Sequence, residues 1–203
     1  MASQLYRWII EGRFVLLTII MGKTCSGKNA VVSELVKRGW SQIVTYTTRP
    51  RRRGEIEGRE YHFLTDEEFE KKDKKGFFVE AQTYNVNGKI WKYGSPLWEI
   101  LDAGVDDENH VIILTPMGVS EVVDVLKGYS PNDNVNVIYL YSNRATILKR
   151  LKSRKDKNDS IERRMKADDE DFANATSLAT KIVYNNESDS LPNVVDKIIS
   201  YSI

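Results

Sequence analysis

Residues Gly22 to Asn29 read GKTCSGKN, between the apolar run FVLLTIIM and the helix-forming stretch NAVVSELVKRG. An uncharged run of eight residues is the pattern of a strand covered on both faces. The segment after the glycines places Val31, Val32, Leu35 and Val36 on one helical face, with Gly39 as the stop. Strand, glycine loop, helix is the context a phosphate-binding loop requires, because the backbone N–H groups at the helix start converge on an anion. Gly22 and Gly27 supply the backbone freedom, and Lys28 adds a point charge for β- and γ-phosphates. The plain structural reading is a strand-to-helix turn that happens to be rich in Gly and Lys. The usual pattern ends in Ser or Thr, whose hydroxyl binds Mg²⁺; here Asn29 offers only a side-chain carbonyl, a weaker metal ligand. Cys25 inside the loop reads as a small filler residue.

The rest of the chain alternates. HVIILT, NVNVIYLY and KIVYN are strand candidates, separated by the helical patterns PMGVSEVVDVLKG, NRATILKRLKSR and SIERRMKADDEDFANA and closed by PNVVDKIISY. That order predicts an α/β fold with a parallel sheet and helices on both faces. Between Thr45 and Pro96 the pattern changes to short strand-like pieces, IVTYTT, YHFL, FFVEAQTY and KIWKYG, with Asn87-Gly88 as a hairpin turn. Thr65 and Glu68 stand at capping-box spacing. The expected organisation is one domain: a core of residues 14–44 and 97–203, a small mostly antiparallel β insertion at 45–96, and an extension at 1–13.

Composition excludes little. A net charge of +1 over 203 residues gives no bulk attraction to nucleic acid or membrane. Phe14 to Met21 is too short to span a bilayer, and Glu11 and Arg13 interrupt any signal-peptide core. One cysteine forms no intrachain disulfide, which fits a cytoplasmic protein. Charge is clustered, however. TTRPRRRGEIEGRE carries five arginines between Arg49 and Arg59, and Arg144 to Lys166 holds ten Lys or Arg against three acidic residues. The first cluster reads as a second anion site, a nucleic-acid patch or a solvated basic loop, and the second as a solvated helical face or an RNA-binding surface.

Taken together, the glycine loop and TTRPRRRGEIEGREYHFLTDEEF, GFFVEAQTY and YGS resemble the guanylate kinase family, enzymes that transfer the γ-phosphoryl of ATP to GMP or dGMP. The resemblance runs from about Phe14 to the end. It implies a three-part molecule: a core binding ATP through Gly22, Lys23, Thr24, Cys25, Ser26, Gly27, Lys28 and Asn29; a GMP-binding insertion; and a lid at about 144–168. By position, Arg49, Arg52 and Tyr61 would clamp the GMP phosphate with Tyr93. Thr45, Glu80, Ser95 and Thr115 would surround the base. Arg150, Arg154 and Arg164 would close over the transferring group, with Lys28 and Arg49 completing the catalytic set, and Asn185 would lie near the adenine. Glu80 carries an independent argument: guanine presents N1–H and N2–H side by side, which one carboxylate accepts as a pair, whereas adenine has an acceptor at N1.

The family pattern has aspartates where this chain has Ile113 and Thr115. With Asn29, that removes the usual protein groups around Mg²⁺, leaving the ion to be held mainly by nucleotide phosphates. Three readings follow: a working guanylate kinase, a monophosphate kinase of altered base preference, or a catalytically weak binding module.

Overall fold

The computed structural model describes residues 17–103, 108–129, 135–154 and 160–201, except for the side chains of Tyr129 and Arg154. The expected extension at 1–13 and the linker 155–159 lie outside the described residues.

Five parallel strands form the larger sheet. β1 (Leu17–Met21) is central, flanked by β7 (His110–Ile113) and β8 (Val135–Tyr141), with β2 (Ser41–Ile43) and β9 (Lys181–Tyr184) at the edges. Every residue of β1 is buried, as expected of a strand covered on both sides. On one face Leu17, Ile19, Met21, Ile112, Val137 and Tyr139 pack against Ile100 of α3 (Leu97–Asp102) and Val119 and Val122 of α4 (Pro116–Tyr129). On the other face Ile20, Val111, Ile138 and Leu140 meet α1 (Lys28–Lys37) and α8 (Leu191–Ser200). Helix α1 buries Val31, Val32 and Leu35. Val36, expected on the same face, is 43% exposed; it lies about 90° around the helix from the centre of the buried stripe.

The second sheet is built wholly from residues 46–96. It has the order β4 (His62–Phe63), β3 (Tyr46–Thr47), β6 (Lys89–Pro96), β5 (Phe78–Val86). Its β5–β6 and β3–β6 pairs are antiparallel, whereas β3–β4 is parallel. The β5–β6 hairpin turns at Asn87 and Gly88, both at positive φ, the geometry that Asn-Gly favours. Helix α2 (Asp66–Asp73) opens with the full capping box: Thr65 accepts from the Glu68 N–H while Glu68 accepts from the Thr65 N–H. Tyr46, Phe69 and Phe78 form a small separate core between this helix and the sheet.

A bulge interrupts the hairpin next to the cleft. Phe78 pairs with Pro96 and Glu80 with Ser95, so two steps on β5 answer one on β6. Residues two apart on a regular strand share a face, but a bulge breaks that rule. Phe78 therefore lies on the face of Gly94, where a Cβ would approach its ring to 2.8 Å, while Glu80 lies on the opposite face.

Helices α5 (Arg144–Arg154) and α6 (Ile161–Asp171) pack through Ile147, Leu151 and Met165, with Cys25 of the glycine loop against the same cluster. The run SIERRMKADDEDFANA is not one helix: Ser160 caps α6, which ends at Asp171, and a single-turn α7 (Ala175–Leu178) follows. Among the described residues no helix is long and apolar enough to cross a membrane.

Candidate active site

The carboxyl ends of the parallel strands open onto one cleft of about 640 Å³, where ligands of open α/β sheets bind. The glycine loop leaves the central strand β1 and forms its floor. Gly22 has no room for a side chain, since a Cβ would come within 2.6 Å of the Leu140 carbonyl and of Ser26 Oγ. Gly27 takes φ 100° and Cys25, unusually for a side-chain-bearing residue, φ 58°. The loop closes on itself through Ser26 N–H to Lys23 O at 3.1 Å. Lys28 Nζ donates to Gly22 O at 2.6 Å and Lys23 O at 3.1 Å. The ammonium thus braces the loop from within the cleft.

Gly22, Thr24, Cys25, Gly27, Lys28 and Asn29 all line the cleft. Lys23 does not; it pairs with Asp169 of α6. Ser26 is buried beneath the loop, its Oγ among the buried polar atoms without a partner. Asn185, expected near an adenine, is tied to the glycine loop. It is 6% exposed and donates from Nδ2 to Ser26 O at 2.7 Å, holding the loop from below.

The opposite wall comes from the second sheet. Thr45, Arg52, Tyr61, Glu80, Tyr93 and Ser95 line the cleft from the insertion, and Thr115 lines it from the end of β7 in the core. Arg49 sits behind rather than on that wall: 3% exposed, it donates to Glu55 Oε1 at 2.8 Å and lies over the rings of Tyr61 and Phe63. Burial pushes the Glu55 carboxyl up, but the Arg49 hydrogen bond, the Arg52 N–H and both guanidinium charges outweigh it and hold it below its usual range. This buried pair fixes the arginine loop, leaving Arg52 facing the cleft. Burial, reinforced by Tyr93, raises the Tyr61 phenol to about 12, so it remains a neutral donor at physiological pH.

Glu80 is 8% exposed and accepts from Ser95 Oγ at 2.6 Å. Burial pushes its carboxyl above the usual value, although the Ser95 bond opposes this. Gly118 leaves it space: a Cβ there would stand 3.4 Å from Glu80 Cδ. Alternation along β5 places Gln82 and Tyr84 on the same face, and both line the cleft. Gln82 was not expected at the site; its register two residues beyond Glu80 on one strand is the signal that could have found it. Tyr84, raised to about 12 by burial first and the Asp171 charge second, likewise stays neutral.

Helices α5 and α6 form the third side. Arg150 lines the cleft, donating to Cys25 O and Ser26 O at 3.2 Å each. Arg164, 6% exposed, and Arg163 also line it. Arg154 ends α5, but its side chain lies outside the described residues. Asp168 is a second unexpected neighbour. It accepts from Thr24 N–H at 2.9 Å and Thr24 Oγ1 at 3.2 Å, placing a carboxylate against the anion-binding loop. Burial raises this acid, partly countered by Thr24, Lys28 and Lys23.

Among the described residues no cluster of three or more His, Cys, Asp or Glu could hold a metal ion. Ile113 lines the cleft without a donor, and Asn29 stands exposed at the first turn of α1. That donor set suits an ion held chiefly by phosphates and water, as Mg²⁺ commonly is, with Asn29 as a single protein ligand.

The glycine loop, Arg52 with Tyr61, Glu80 with Ser95, and the arginines of α5 and α6 therefore line one cleft. Comparison with known proteins agrees. The sequence profile described as guanylate kinase matches residues 15–201. The guanylate kinase of Mycoplasmoides gallisepticum is 25% identical over 96% of this chain and 97% of its own length. That of Thermotoga maritima is 31% identical over 62% of this chain, and the match spans 56% of that protein. The crystal structure of guanylate kinase from Anaplasma phagocytophilum superposes with a TM-score of 0.69, covering 94% of this chain and 86% of that one at 18% identity. With a profile match across nearly every described residue, and the loop, arginines and Glu80 converging on one cleft, the chain belongs to the guanylate kinase family.

Proposed function

We propose that this protein transfers the γ-phosphoryl of ATP to GMP or dGMP, giving ADP and the corresponding diphosphate. One observation carries the reading: the glycine loop and Glu80 line the same cleft, which supports two nucleotides bound there with their phosphates meeting. An oxygen of the GMP phosphate forms the new bond to the γ-phosphorus, and the bond from that phosphorus to the oxygen bridging to the β-phosphate breaks. Such transfers need little covalent help from the protein, so positioning and charge neutralisation carry the catalysis.

The roles divide by location. Backbone N–H groups of residues 23–28 cradle the donor's phosphates, and Lys28 turns from the loop carbonyls to the β- and γ-oxygens. Arg52 and Tyr61 grip the acceptor phosphate; Arg49 positions them from behind through Glu55. Thr45, Glu80 and Ser95 hold the base. Arg150, Arg154 and Arg164 neutralise charge spreading over the transferring oxygens as α5 and α6 close. Asn29 would be the protein contact for Mg²⁺, which would supply neutralisation of the donor's phosphate charge. A cytoplasmic location fits the single cysteine.

A coupled assay of ADP release across all nucleoside and deoxynucleoside monophosphates, with Mg²⁺ and Mn²⁺ compared, tests the proposal. GMP-dependent turnover is expected. No turnover with any monophosphate would leave only the binding-module reading. A second reading, altered base preference, is motivated by Thr115, which is neutral where the family has a carboxylate; the same panel decides it.

A further inference from the structure

Resting on the guanine reading above, we infer that the amide of Gln82 is a further specificity-determining group: its Nε2 donates to O6 of the bound base while Glu80 accepts N1–H and N2–H. Gln82 is 8% exposed, lines the cleft, and shares the face of β5 with Glu80.

The orientation of its amide is fixed from one side. Tyr84 OH donates to Gln82 Oε1 at 2.7 Å and Thr115 Oγ1 donates to the same oxygen at 3.1 Å. Thr115 Oγ1 in turn accepts from Gly118 N–H at 3.2 Å. With its one proton given to Gln82 and its oxygen held by Gly118, Thr115 is placed to orient the amide rather than to read the base. Two hydroxyls on Oε1 leave Nε2 on the opposite side. It lies close enough to the Glu80 carboxyl to favour its charge, without meeting the distance and angle of a hydrogen bond to any protein acceptor. Nε2 is one of two buried side-chain polar atoms, among the described residues, with no hydrogen-bond partner. Buried amide donors are nearly always bonded, so an orphan on a side chain that lines a ligand cleft marks where a ligand supplies the acceptor.

The resulting edge runs donor, acceptor, acceptor: Gln82 N–H beside the two carboxylate oxygens of Glu80. Guanine runs acceptor, donor, donor across O6, N1–H and N2–H, the complement of that edge. Gln82 thereby supplies polar recognition at a pocket where Thr115 carries no charge.

The test pairs two variants with three acceptors. Gln82→Met removes the donor at similar volume. Gln82→Glu keeps the shape and both hydroxyl contacts but turns the donor into an acceptor. Binding and kcat/KM are measured for GMP, for IMP, which keeps O6 but lacks the N2 amine, and for 6-thio-GMP, whose sulfur is a weak acceptor. Gln82→Met should weaken GMP and IMP alike by about tenfold and 6-thio-GMP by less than threefold, with KM for ATP unchanged. Gln82→Glu should weaken GMP more strongly than Gln82→Met. Losses on 6-thio-GMP equal to those on GMP, or GMP kinetics unchanged in both variants, would overturn the assignment of Gln82. Failure of the parent protein to bind GMP at all would instead overturn the guanine reading itself.

Discussion

Replacing Glu80 by Gln isolates what a buried carboxylate does in this pocket. The change keeps shape, and Ser95 Oγ, now 2.6 Å from Oε1, retains an acceptor on the amide oxygen. What is lost is one of two charge-assisted acceptors facing guanine: an amide NH₂ would meet one of the base's own N–H groups. Losing a charged hydrogen bond removes about 1.5–3 kcal/mol, and making its neighbour neutral removes about 1 more. The sum, about 2.5–4 kcal/mol, corresponds to on the order of 10²–10³ in kcat/KM for GMP at saturating ATP.

The same substitution has an opposite effect on the empty protein. Burial raises the folded-state value of Glu80 above the ordinary 4.5. Stability associated with this acid is therefore fully present below pH 4.5 and is lost as pH rises through the folded value. Gln never ionises, so the variant should match the parent in Tm near pH 4 and exceed it at pH 7. Affinity runs the other way, because guanine selects the ionised form: GMP binding by the parent should weaken on acidification toward the folded value, while the variant's residual binding stays flat. Calorimetric titration with GMP and thermal melts across pH 4–8 provide the check. A variant within threefold of the parent on GMP, or one less stable than the parent at pH 7, would refute the reasoning.

Lys28→Ala should reduce ADP formation by at least ~10² while leaving GMP binding intact, read by the coupled assay and by titration. Asp168→Asn removes a negative charge that abuts the loop; relief of about 1 kcal/mol of repulsion should tighten ATP binding roughly fivefold. Because burial raises Asp168, its stability contribution is lost as pH rises above the ordinary 3.8, so this variant's Tm gain should be larger at pH 7 than at pH 4. Glu55→Ala leaves Arg49 buried without its carboxylate, a loss of about 3–5 kcal/mol or roughly 6–20 °C in Tm. Glu55 is held below its usual value, so its contribution is present above pH 4.5 and disappears on acidification through the folded value; the deficit of the variant should shrink correspondingly in melts at low pH.

Much of this molecule can be read from local signals. The buried β1 run, the capping box at Thr65 and the Asn87-Gly88 turn each follow from chemistry within a few residues, and each forms in the structure. Glu80 could be named from the resemblance to the guanylate kinase family, with guanine's donor pair as a supporting argument for a carboxylate. Other features depend on distant partners. Asp168 meets Thr24 across 144 positions and Asn185 meets Ser26 across 159, contacts that no spacing rule anticipates. The break between α6 and α7 falls in a polar stretch whose apolar spacing does not mark it. Gln82 was within reach of strand periodicity, but a neutral amide carries no chemical flag until its unbonded nitrogen is seen.

The bulge at Phe78 and Glu80 has a consequence for molecular evolution. It absorbs one residue of β5 without disturbing the pairing on either side. Removing Val79 would leave Phe78 opposite Pro96, Glu80 opposite Ser95 and Gln82 opposite Tyr93, a regular ladder with the same side chains in the cleft. Removing Thr83 instead would slide Gln82 to a place opposite Lys92 and turn it from the acceptor. Tolerance to a change in length is thus confined to one point of this strand, beside the carboxylate it carries.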